Sequence, residues 1–204
     1  PMPAHILVNL DAEIKSIGDF KGKRVDYGSV GQGIEVNVRE MMSVFGLKDE
    51  DVRIERYGRS EVAEALKVGD SQAHIWTTNA PNAQVTDMIR SGKVGLIGIE
   101  PEKIQEIVSK FPHYAPVVIP AGVYEGYDKD LPVVGAVGSL LTYEDMPEEV
   151  IYKITKMIHT NTKFLQERLN YFNNLNLQFA LAGMAVPLHP GAKKYYVEAG
   201  LIKE

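Results

Sequence analysis

Cysteine is absent from this 204-residue chain, which removes disulfides, thiolate nucleophiles and cysteine-ligated zinc together. Long apolar runs are missing as well. No stretch approaches the roughly 18 to 20 apolar residues that a membrane-spanning helix requires, and the opening "PMPAHILVN" has neither the basic nor the apolar region of a secretory signal. The expectation is a cytosolic protein or one whose leader has been removed. Basic charge is scarce: 22 Lys and Arg against 27 Asp and Glu leave a formal charge of −5. Without a long basic run, the chain lacks the electrostatic footprint of a nucleic-acid binder. No internal repeat and no low-complexity tract is visible. The five histidines lie in five separate segments with no H-x-x-x-H or H-E-x-x-H spacing, and no serine sits in a G-x-S-x-G elbow. Each histidine is therefore read as structural or superficial, with His189 in "PLHPG" as a turn residue before a helix. Neither a metal nor a cofactor is expected. Acid pairs in "PEKIQEIVSK" and "MPEEVIYKITK" are read as solvated helix faces, so no catalytic residue is assigned.

What is present is an alternation of short β-type runs with helical patterns, the order that gives parallel sheet with helices on its faces. Strands are expected at His5–Leu10, Arg24–Tyr27, Val52–Tyr57, His74–Thr77 and Val94–Ile99. A helix over Glu35–Phe45 would bury Ile34, Val38, Met41, Met42 and Phe45, with Gly46 ending it. Ser60 is placed to cap a second helix, Pro81 and Pro101 to open two more. Beyond "APVVIPAGVYEGYDKDLPVVG" the texture changes: prolines and glycines crowd around one apolar strand, Val133–Leu141, as in a connector between lobes. A long helix over about Pro147–Leu169 and a short one from Pro190 to Gly200 complete the pattern.

Two stretches carry candidate chemistry. "GSVGQGIEVNVREMMSVFG" sets Gly28, Gly31 and Gly33 between a strand and a helix, where free backbone N–H groups and the helix dipole favour an anion. A nucleotide P-loop would need Lys and Ser or Thr after the last glycine, but Ile34 and Glu35 follow. The dinucleotide spacing G-x-G-x-x-G is not met either, since the order here is G-x-x-G-x-G. A carboxylate or other small polar ligand is left, beside the alternative of a tight turn that binds nothing. In "AHIWTTNAPNAQVTDMIRSG" the single tryptophan, Trp76, ends a strand and is followed by Thr77, Thr78 and Asn79. Ligands of open α/β sheets sit beyond the carboxyl ends of strands; a core tryptophan is the bland alternative.

With "IKSIGDFKGKRVDYGSVGQGIEVNVREMMSVFGL", "IWTTNAPNAQVTDMI", the segment "FPHYAPVVIPAGVYEGYDKDLPVVGAVGSLLTYEDMPEEVIYKITK" and "AVPLHPGAKKYYVEAGL", the chain resembles the TAXI family of extracytoplasmic solute receptors of TRAP-type transporters. The resemblance runs end to end. It implies an α/β fold of the periplasmic binding protein type 2 kind: two lobes with mainly parallel sheets flanked by helices, trapping a small carboxylate or amino acid such as glutamate for membrane subunits of the transporter. An extracytoplasmic, periplasmic location is implied in the same way. The family's turn is usually G-S-G-T-E, whereas here Gln32 and Ile34 replace the small hydroxyl residues, and Asn79 stands where the family has glycine. The family's Gly-rich opening segment is not found ahead of His5–Leu10, so one lobe is expected to be incomplete. Residues 11–127 would form the ligand-binding lobe, with 1–10 and 128–204 supplying the remainder of the other and hinges at Asp11–Lys23 and Val123–Leu131. The contacts expected for the solute are Ser29, Val30, Gln32, Gly33 and Ile34 at the turn, Thr77 and Asn79 opposite, and Trp76 as a wall. The alternative is a truncated interaction module, completed by a second copy of itself in a homodimer, that has lost or changed its ligand. A metal-free enzyme in the same cleft ranks last.

Overall fold

The computed structural model describes residues 1–203 except Asn170, Tyr171, Asn173, Asn174 and Ala185. By its contacts the chain divides into two compact units, Met2–Ala136 and Val137–Glu204 with Pro1.

The larger unit contains all seven strands found among the described residues: β1 (Met2–Asn9), β2 (Arg24–Asp26), β3 (Arg53–Glu55), β4 (Ala73–Thr77), β5 (Val94–Ile97), β6 (Tyr114–Ile119) and β7 (Leu131–Ala136). Four helices join them: α1 (Gly33–Val44), α2 (Val62–Val68), α3 (Ala83–Arg90) and α4 (Pro101–Lys110). Strands β3, β2 and β4 lie side by side in parallel. Strand β1 is the spine of the sheet and runs antiparallel to β4, β5 and β7, and β6 closes the edge as a hairpin with β7. Thus β2, β3, β4, β5 and β7 share one direction and β1 and β6 take the other.

Alternation along the strands sends side chains to two cores, one on each face of the sheet. Ala4, Ile6 and Val8 of β1, with Ala73 and Ile75 of β4, join Val38, Met41 and Met42 of α1 and Ile104 and Ile107 of α4. Leu7 of β1 and Trp76 of β4 join Val62 and Leu66 of α2 and Val85 and Met88 of α3 on the other face. Each fully buried Leu, Ile or Met contributes roughly 1.5–3 kcal/mol, so the apolar stripes of four helices decide which face each covers. Helix α1 ends as its sequence requires: Gly46 takes φ +73°, and the Leu47 N–H reaches back to the Met42 carbonyl at 3.0 Å.

The smaller unit is helical where described, with α5 (Glu148–Thr160), α6 (Thr162–Arg168) and α7 (Pro190–Glu198). Helices α5 and α7 touch backbone to backbone at Gly191, where a Cβ would stand 2.7 Å from the Tyr152 nitrogen. His159 of α5 stacks on Tyr195 of α7 with centroids 5.7 Å apart. His189 precedes α7 as read from the sequence, and it also caps that helix, its Nδ1 accepting the Gly191 N–H at 3.1 Å.

Several expectations are corrected. The segment 1–10 does not stand apart from 11–127, because β1 pairs through the middle of that unit's sheet; the division of the chain falls after Ala136 rather than after residue 127. The proline-rich stretch is no connector: it holds β6, missed because Pro116 and Pro120 obscure the strand, and the following strand ends at Ala136 rather than at Leu141. Ser60 does not cap α2, which starts after Glu61 without a side-chain cap. Pro81 follows a cis peptide bond, and α3 opens two residues later with Asn82 as its cap. The expected long helix breaks at Asn161 into α5 and α6.

Candidate functional site

Three parallel neighbours place three loops along one edge of the sheet. Gly28–Gln32 follows β2, Tyr57–Glu61 follows β3, and Thr78–Asn82 follows β4. These are the carboxyl ends of strands, where open α/β sheets hold their ligands.

The glycine turn is shaped by need. Gly28 takes φ +66°, which an L-residue adopts at a cost, and a Cβ there would lie 3.2 Å from Gln32 Oε1 and 3.4 Å from the Ile34 Cβ. Inside the turn the Gln32 N–H bonds the Ser29 carbonyl at 3.2 Å. The Gly31 N–H donates to Glu35 Oε2 at 3.3 Å, so the chain's own carboxylate takes a backbone donor of the turn. Glu35 in turn holds Arg56 at 2.7 Å and Arg39 at 2.8 Å. The Arg56 hydrogen bond and the Gly31 N–H pull the Glu35 carboxyl down to about 2. The Gly33 and Ile34 N–H groups, the first two of α1, find no acceptor among the described residues, as orphan donors of a helix start.

Of the expected contacts, Gln32 and Ile34 from the turn and Trp76 from β4 line one small pocket together. Ser29, Val30 and Gly33 lie on the exposed crest of the turn, with Val30 78% exposed. The Thr77 hydroxyl is taken by Asn37 of α1, whose Nδ2 donates to it at 3.2 Å. Asn79 is half-buried and does not reach the pocket.

The polar pocket residues Asp26, Arg59 and His74, with Tyr57 and Val62, were not foreseen as part of the site. Asp26 and His74 are both buried at its floor, with His74 Nδ1 2.8 Å from Asp26 Oδ2. The two atoms are close, but their angles are not those of a hydrogen bond. The other Asp26 oxygen accepts the Tyr57 N–H at 2.8 Å. Above them the Arg59 guanidinium lies over the Trp76 indole, 5.6 Å from the ring centroid. With Arg59 and Gln32 in place, about 10 Å³ stays open, the room of a single water. The signal for the floor was in the strands: Asp26 and His74 interrupt apolar runs at positions that alternation sends to one face. Arg59 was legible only from β3 being parallel to β2.

Beside the pocket, His5 is fully buried on β1 opposite Trp76. Its Nδ1 lies 3.1 Å from the Pro3 carbonyl and its Nε2 2.8 Å from the Tyr124 hydroxyl, which accepts the Asn82 N–H at 3.0 Å. A carbonyl only accepts, so the proton sits on Nδ1 and the tyrosine donates to Nε2. Desolvation lowers the His5 pKa to about 4 and raises that of Tyr124 to about 12. A larger open hollow of about 390 Å³ near Arg39, Met42, Leu47 and Asp49 has its charges met, Arg39 by Asp49 at 2.8 Å and Lys48 by Glu50 at 3.8 Å. No expected contact reaches it. Among the described residues no cluster of His, Asp or Glu could hold a metal ion, and no helix is long and apolar enough to cross a membrane.

The fold is that of periplasmic binding proteins. The periplasmic aliphatic sulphonate binding protein SsuA from Escherichia coli superposes with a TM-score of 0.51 at 14% identity, over 96% of this chain and 55% of that one. The alkanesulfonate-binding protein SsuA from Xanthomonas axonopodis pv. citri, bound to MOPS, matches at 13% identity over the same shares with a TM-score of 0.45. An ancestral arginine-binding protein bound to arginine matches at 21% identity over 54% of each chain, with a TM-score of 0.36. The chain therefore spans about half the length of these binding proteins. The model of the NMT1-like family matches residues 1–200, nearly the whole sequence, and the chain belongs to that family.

Proposed function

We propose that this chain is the solute-capturing part of a binding protein that holds a small carboxylate or amino acid without transforming it, and that it serves the membrane subunits of a TRAP-type transporter from the extracytoplasmic side. The observation that carries the reading is the meeting of Gln32, Ile34 and Trp76 at the carboxyl ends of β2 and β4, beside the two unpaired N–H groups that open α1. The fold shared with periplasmic binding proteins supports it, and the motifs that resemble the TAXI family supply the transporter class. The site offers donors, an aromatic wall and no activated nucleophile, which suits retention rather than turnover. Because only about 10 Å³ is open between the lining residues, entry of a solute requires side chains to move aside, and the exposed Arg59 and Gln32 are the ones free to do so. A thermal-shift screen of amino acids and mono- and dicarboxylates tests the reading. A ligand that binds only the folded chain at about 100 times its Kd adds about 2.7 kcal/mol, which is a readily measured rise in melting temperature. A flat response across the whole panel, together with no binding by calorimetry, would overturn it.

A further inference from the structure

Arg39 of α1 and Arg56 and Arg59 of the stretch beyond β3 differ in how their charge is met. Arg39 and Arg56 share the Glu35 carboxylate, and Arg39 has Asp49 as well. Arg59 has no carboxylate partner among the described residues; what it has is the Trp76 ring. Its backbone is fixed on both sides, since the Arg59 carbonyl accepts from Gln84 Nε2 of α3 at 2.7 Å and the Gly58 carbonyl accepts the Glu61 and Val62 N–H groups at 2.9 and 3.0 Å. A guanidinium on an anchored loop, lying over an indole beside a pocket, keeps its planar fork free to meet an oxyanion. The one carboxylate in the pocket, Asp26, is turned to His74 and the Tyr57 N–H below. Near the turn the pocket is lined by the Gln32 amide, which can donate, and by Ile34, whose backbone N–H at the start of α1 is unpaired among the described residues.

We propose that Arg59 is the anion-holding residue of this pocket, leaving the face of Trp76 to form a bidentate hydrogen-bonded pair with the oxyanion, carboxylate or sulfonate, of a small organic solute. The inference rests on the solute-binding reading and deepens it, because it assigns the solute's charge and the group that receives it. It also predicts a built-in signal. Trp76 is the only tryptophan of the chain, so departure of the guanidinium from its ring alters the intrinsic emission as the anion binds.

The test titrates the full chain with succinate, L-glutamate, taurine and the uncharged succinamide, following Trp76 emission and melting temperature, in the wild type and in Arg59→Gln and Arg59→Lys. At least one oxyanion probe is expected to bind the wild type with a change in emission, while succinamide does not. Arg59→Gln, with an unchanged circular dichroism spectrum, is expected to lose roughly ten- to a hundred-fold in affinity for that probe, and Arg59→Lys to fall between. Comparison of succinate with taurine separates a carboxylate from a sulfonate preference. Wild-type affinity in Arg59→Gln, or succinamide binding as tightly as succinate, overturns the assignment while the solute-binding reading stands. If no probe, charged or neutral, moves either signal in the wild type, and the amino-acid screen is flat, the reading itself falls and the assignment with it.

Discussion

His5 is the buried titratable group with the clearest consequence. Folding holds it neutral, so between its folded value of about 4 and its ordinary value of 6.5 the unfolded chain binds the extra proton. Its contribution is present above 6.5 and is lost as pH falls toward about 4, a loss of about 3 kcal/mol across the window at ~1.4 kcal/mol per pH unit. The melting temperature should fall across that window, and in His5→Gln the fall should be markedly shallower, His159 keeping a share because burial lowers its pKa as well; an equal slope in the variant would show that another group is responsible. Glu35 acts lower: its pKa is depressed to about 2, so what its pairing contributes is present above its ordinary value of 4.5 and fades as pH falls from there. The turn glycines separate just as cleanly. Gly28→Ala meets a left-handed φ and two close neighbours and should cost roughly 1–2 kcal/mol in urea unfolding. Gly33→Ala, in open space at the first position of α1, should be neutral or stabilising.

Asn82 shows how one side chain starts an element and ties it to the site. Its Oδ1 accepts the Gln84 and Val85 N–H groups at 3.0 and 3.2 Å, and its Nδ2 donates to the Thr78 hydroxyl at 3.1 Å. Asn82→Ala should cost about 1–2 kcal/mol, whereas Asn82→Asp, which keeps the capping oxygen, should lose much less; equal losses would locate the effect elsewhere. The sequence pointed to Pro81 instead, because proline often opens helices, and nothing in its composition distinguishes it from Pro101, which does open α4. Long periodic segments were legible: α1 was placed to within two residues, since Val38, Met41 and Met42 fall on one stripe and all are buried. Short elements with prolines were not. Tyr114–Ile119 reads as a loop until Leu131–Ala136 is set beside it, because pairing rather than propensity makes it a strand. The half of the candidate site made by the glycine turn and Trp76 was visible for the same reason as α1, as local pattern. Arg59 and the Asp26–His74 floor needed knowledge of which strands are neighbours.

Every strand among the described residues and the whole pocket lie within Met2–Ala136, and both apolar cores are made there. A chain cut after Ala136 should therefore fold by itself, with cooperative urea unfolding and the same pH response from His5. A molten, non-cooperative product would show that the smaller unit is needed to complete the larger. The smaller unit has its own weak point in Gly191, where any Cβ meets α5 backbone; Gly191→Ala should loosen α7 from α5 and lower stability by more than about 2 kcal/mol. The position of β1 has a further consequence for the folding rate. Strands β4, β5 and β7 must all find it, and its Met2 end pairs with Ala136 at the far end of the unit. The sheet is thus closed by partners distant along the chain, and the approach to the native state is slow by virtue of that long-range pairing.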